Sequence, residues 1–231
     1  LRQSVDFGWG DHLSISYVIT TPADTQVRAH SGSGAIDVGG ITGGAELQAG
    51  SGHLQVSDVG GDLRAQTGSG RISFDRVSGD ARLSTGSGSI EGNEVGGRLS
   101  ASTGSGHISV RRLDHGGDLH TASGGMELDQ VSGDLEARAS SGTIRVGGEL
   151  AGQHRWDLST ASGGIRLSLP AQTVANVRLD TSSGGIYINH PVRTQGRIER
   201  HHWEGVLGES GGGTVTATLD AHAASGSIHV N

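Results

Sequence analysis

GGDLRAQTGSGRISFDRV, residues 60–77, decides the fold. Leu63, Ala65 and Thr67 alternate with Arg64 and Gln66, the period-two pattern of a strand with one buried face. Gly68, Ser69 and Gly70 turn the chain, and Ile72 and Phe74 then alternate with Arg71, Ser73 and Asp75 in a second strand. Val77 closes the corner ahead of the next Gly-Asp turn. Eighteen residues thus make one coil of two short strands and two tight turns.

The coil recurs on both sides of this stretch. Ile36, Leu54, Ile72, Ile90, Ile108, Met126 and Ile144 follow one another at steps of 18, each preceded by Ser-Gly at the same offset, from Ser33-Gly34 to Ser141-Gly142. One coil cannot cover its own apolar side chains, so the coils above and below must hydrogen-bond to it and bury them. The expected fold class is all-β: a single-chain β-solenoid (β-helix) of stacked ~18-residue coils, two short strands per coil, in parallel in-register sheets. Eighteen is also three hexapeptides, the signature of a triangular β-helix, but apolar slots near nine rather than six favour a flattened coil with two sheets. The spacing leaves handedness open. Stacked counterparts would sit about 4.8 Å apart. At that distance the outward column Asp58, Arg76, Glu94, Arg112 attracts by alternating sign before Gln130 ends it, whereas Arg28, Glu46, Arg64 alternates only until Arg82.

One domain is expected over 1–231. Residues 1–23 form a lead-in strand and N-terminal coil, in which Leu13, Ile15, Tyr17 and Ile19 alternate over 12–20. Residues 24–149 form seven 18-residue coils. Residues 150–191 form two 21-residue coils, because Ile165 and Ile186 follow Ile144 at intervals of 21. Residues 192–231 form an irregular segment and closing strands. The strand-like run that stops at Asn231 has no charge or proline to guard it, so it is expected at an exposed solenoid end.

Composition removes whole classes of chemistry. Glycine supplies 42 residues and aromatics only 3%, so the core must be thin. There is no cysteine, which excludes disulfides and thiolate metal sites. All 17 basic residues are arginine, which excludes Schiff-base and phosphate-loop lysines. The formal charge of −7 disfavours nucleic acid as a partner. No run of 18 apolar residues exists, so no transmembrane segment is expected. The chain opens at Leu1 with neither methionine nor a signal-peptide pattern, and reads as a processed form whose leader or anchor lies out of view.

Each feature that suggests chemistry has a plainer reading. Every Gly-Ser-Gly run is followed by a strand, not by the helix a phosphate loop needs. Seven equivalent serines imply a turn requirement rather than one activated nucleophile. His53 and His107 share a slot three coils apart, about 14 Å, too far for one metal ion. A single threonine rank, Thr67, Thr85, Thr103 and Thr121, has inward parity and does not make an ice-binding face. Uniform coils leave no loops to wall the groove of a carbohydrate-active β-helix. No catalytic, cofactor-binding or metal residue is expected, and no cofactor. The candidate ligand-binding residues are Trp156 and the cluster His201, His202, Trp203 and Glu204, and the plainer reading of that segment is a structural cap.

The strings GDLRAQTGSGRI at 61–72, VSGDLEARASSGTIRV at 131–146 and HHWEGVLGESGGG at 201–213 resemble the bacterial adhesin-labelled family of β-strand-repeat proteins, a β-solenoid domain of unknown function. The resemblance covers nearly everything from about residue 13 onward. It implies a protein that is exported and held at the cell surface, in the periplasm or outside the cell, with no catalytic residues to carry over. The function expected is that of a non-catalytic, adhesin-like or scaffold solenoid whose repetitive polar surface meets an unidentified glycan or protein. The alternatives are self-association through solenoid ends into a fibre and, less favoured, a carbohydrate-binding or carbohydrate-active β-helix.

Overall fold

The structure, a computed structural model, describes residues 2–7, 13–194, 201–208 and 215–231. Among these residues every regular element is a strand. Two large sheets face each other: a ten-stranded sheet that is parallel throughout, and a twelve-stranded sheet in which only the two pairings at one edge are antiparallel. The flattened two-sheet coil follows from the slot spacing, as expected.

Register is the strict 18-residue one. Ile72 pairs with Leu54 on one side and Ile90 on the other, and in the opposite sheet Thr67 pairs with Ala49 and Thr85. Each inward slot therefore meets inward slots, and Leu63, Ile72, Ile90, Leu99 and Ile108 are fully buried. Parity alone would send Val77 outward, since Ile72 and Phe74 face in. Arg76 takes a left-handed conformation (φ 56°) that restores Val77 to the core, and Asp58, Arg112 and Gln130 do the same in their own coils. The outward ladder holds: Arg76 Nε lies 2.6 Å from Asp58 and Arg112 Nη1 lies 2.9 Å from Glu94.

The turns are built from stacked backbone. At Gly70 a Cβ would collide with the carbonyl of Gly52 in the coil before, so close approach requires glycine there. The inward threonines complete these turns. Thr67 donates from Oγ1 to Gly52 O at 3.0 Å and accepts from Gly70 N at 3.2 Å, and Thr85 and Thr103 repeat the pair. On the other side of the coil, the Gly-Asp turns use the carboxylate of Asp62 to accept from Asp80 N, and that of Asp80 to accept from Arg98 N.

Two expectations need correction at the ends. Leu13–Val18 does not lead into the stack; it pairs antiparallel with Arg2–Phe7 as a separate two-stranded ribbon. Nor is the strand ending at Asn231 exposed. Ile228–Val230 lies between Ile165–Ser168 and Ile186–Ile188, while Thr218–Ser225 lies between Arg155–Ser162 and Ala175–Ser183. The last coil in sequence is thus inserted between the two 21-residue coils, and Ile165 meets Ile228 rather than Ile186. Much of the irregular segment, 195–200 and 209–214, lies outside the described residues. Its visible part, His202–Leu207, runs antiparallel to Ala175–Ser183 and caps the twelve-stranded sheet, with Val192–Thr194 beyond it.

Core packing is matched across coils. The slot occupied by Val56, Val110 and Leu128 elsewhere holds Phe74 and, one coil on, Gly92, and a Cβ on Gly92 would run into the Phe74 ring. Gly92→Val, although it restores the commoner residue type, should destabilise by about 1–3 kcal/mol through overpacking. Adding Phe74→Val should recover most of that loss. Urea denaturation of both single variants and the double variant measures it, and additive losses would contradict this packing.

Candidate functional site

The described part of the irregular segment shows local alternation. His202 and Glu204 face outward from the capping strand, while Trp203 and Leu207 are buried in the core. The Trp203 ring lies over Gly205, where a Cβ would approach it at 2.8 Å. His201 stands in the exposed turn before the strand, and its carbonyl accepts from Thr181 N at 2.8 Å.

Trp156 does not join this cluster. It is fully buried, in register with Leu135 and Leu219, and its indole donates to the carbonyl of Gly133 at 3.0 Å. Three strand steps separate its rank from that of Trp203, about 14 Å. Both tryptophans fill the thin core where the coil lengthens, and neither ring is presented to a ligand.

What the segment does assemble is a polar cluster centred on Asp180, which the sequence reading missed. Nδ1 of His202 lies 2.5 Å from one carboxylate oxygen of Asp180, and Nε of Arg178 lies 3.0 Å from the other. Nε2 of His202 is 3.8 Å from Glu204. Burial pushes the Asp180 carboxyl up, but hydrogen bonds from His202 and Arg178 outweigh it and hold the group below its ordinary value. On the far side Asp180 is in register with His222, and Arg178 with Asp220, whose carboxylate pairs with Arg155 at 2.6 Å. The cluster joins the capping strand to Ala175–Ser183, and the Arg155–Asp220 pair joins the next two strands of the sheet. Among the described residues, no three His, Asp or Glu side chains are placed to hold a metal ion.

Chemically the arrangement is a latch. Because the Asp180 carboxyl is lowered in the folded state, its contribution is present above the unfolded-state value near 3.8 and is lost as pH falls through the lower folded-state value. Asp180→Asn should cost about 1–2 kcal/mol at neutral pH. The gap should close only in acid below that point. Melting curves of both proteins from about pH 5 to about pH 2 check the sign; a gap that widens on acidification would contradict it.

Comparison with family models gives a match over 14–120 and again over 114–231, both to the family described as Toastrack DUF4097. Neither the curated proteins nor the solved structures give a match.

Proposed function

The chain belongs to the Toastrack DUF4097 family, and we propose that it is a non-catalytic, extracytoplasmic solenoid that presents a repetitive polar surface as an adhesin or scaffold. The observation that supports this reading is the separation of roles between faces. In the stacked coils most apolar side chains, the threonine rank, Trp156 and Trp203 go to the inside, and the outward slots form columns of mainly polar residues one coil apart. Such columns suit a ligand that itself repeats, because each step along the solenoid offers an equivalent contact. Export to the cell surface, periplasm or medium rests on the family resemblance, and no helix among the described residues is long and apolar enough to cross a membrane.

A glycan array probed with the intact chain should show retention of a defined glycan class and no turnover of it. Hydrolysis of a bound polysaccharide that is lost in Glu204→Ala would instead establish the enzymatic alternative, with Glu204 as its acid or base.

Self-association is the second reading, supported by the outer edges of Val27–Ser31 and Ile36–Ile41, the first strands of the two large sheets, which pair with no further strand among the described residues. At the other end, among the described residues, His202–Leu207 and Val192–Thr194 extend the twelve-stranded sheet, whose edge is the short Val192–Thr194, and the edge of the ten-stranded sheet is the short Ile186–Ile188. Under this reading, association runs through the first coil and Ala29→Pro abolishes it. Sedimentation velocity across a hundredfold concentration range decides: a monomer throughout rules association out.

A further inference from the structure

The outward column of the ten-stranded sheet keeps opposite signs from Glu127 to Arg145, which are in register, and breaks that pattern at the next step. Arg145 and Arg166 are in register on adjacent strands, and Arg166 is in turn in register with His229, which is followed by Tyr187. Consecutive members are about 4.8 Å apart. Like charges at that distance repel, and among the described residues neither arginine has a carboxylate within 4.0 Å. The other in-register arginine pair, Arg64 and Arg82, differs, because Arg82 has Asp80 at 3.8 Å.

The column continues from cations into aromatic plates. The Tyr187 and His229 rings stack with centroids 4.7 Å apart and planes 15° from parallel, and Tyr187 is 58% exposed. At the cationic end lies a shallow groove of about 720 Å³, lined by Arg145 and Arg166 together with Arg111, Glu127 and Asp129.

We propose that Arg145, Arg166, His229 and Tyr187 form a linear binding strip for an acidic polysaccharide whose sugars bear carboxylates. Each guanidinium takes a carboxylate in bidentate fashion. The exposed Tyr187 face takes the apolar side of a sugar ring. Glu127 and Asp129 in the same groove accept from sugar hydroxyls, which a DNA phosphodiester backbone lacks. Hydroxyl recognition of this kind favours a glycan over DNA. The assignment rests on the reading of the chain as a surface-binding solenoid and names the ligand class and the face.

The test is calorimetric titration of the intact chain with a decameric oligogalacturonate at low and high salt. Saturable binding that weakens with salt is expected. Arg145→Glu with Arg166→Glu should weaken it about tenfold or more. Tyr187→Ala should weaken it about fivefold. Arg64→Glu with Arg82→Glu should leave it unchanged. All these side chains point outward, so melting temperatures should stay near that of the parent, and Arg145→Gln with Arg166→Gln serves as a milder pair. No saturable binding, equal loss in the Arg64/Arg82 control, or equally tight binding of a single-stranded DNA of the same charge would each overturn the assignment. If oligogalacturonate fails while other glycans are retained on the array, the strip is wrong and the broader reading survives; if nothing is retained, both fall.

Discussion

Pairing of each coil with the next, residue for residue, is the constraint on which the molecule depends. A coil of this size has too few apolar side chains to enclose itself, so its inward faces are completed only by identical slots above and below. The requirement reaches beyond the core. It fixes glycine at Gly70, where the Gly52 carbonyl leaves no room for a side chain, and it places Thr67 where one hydroxyl serves both its own turn and the preceding one. It also explains why Phe74 is tolerated: the ring enters space that the neighbouring Gly92 leaves empty, so the pair fills two slots as two valines would.

The same pairing turns the surface into an electrostatic lattice. Outward residues have fixed neighbours one coil away, and most columns settle into opposite signs, as with Arg28 and Glu46 or Asp58 and Arg76. The Arg76 side chain holds the Asp58 carboxyl below its ordinary value, and Asp58 in turn raises Arg76. Both groups are solvent-exposed, so such pairs contribute little to stability. Their effect is to set the register, since a slip of one position would bring like charges together and turn apolar slots outward.

Where the period is regular, sequence alone sufficed, because in-register stacking makes position in the chain equivalent to position in space. The inward threonines, the Val77 corner and the Asp58–Arg76 ladder were all legible for that reason. The equivalence fails after Ser168. A spacing of 21 residues between Ile165 and Ile186 reads as adjacency, yet the same spacing allows a gap one strand wide, and the closing coil occupies it. No local signal separates the two arrangements, because the inserted strands are as regular as any others. The candidate site suffered likewise. Trp156 and Trp203 stand out in a chain with few aromatics, but their prominence marks wider core at the lengthened coils. Asp180 gains its role only from the antiparallel return of His202–Leu207, which no period announces.

The insertion also decides what the surface can offer. Stacked in sequence order, Arg166 would lie beside Tyr187, and the column would pass from guanidinium to phenol in one step. With Ile228–Val230 between them, His229 enters the column and becomes the plate on which Tyr187 stacks. The strip from Arg145 to Tyr187 is therefore a product of topology as much as of composition. Its four side chains come from four strands in four separate passages of the chain, and they meet only once the last passage has been enclosed by the one before it. A face assembled this way exists only in the fully closed molecule, so any ligand that spans it also binds the closed state in preference to one in which the final coil has come away.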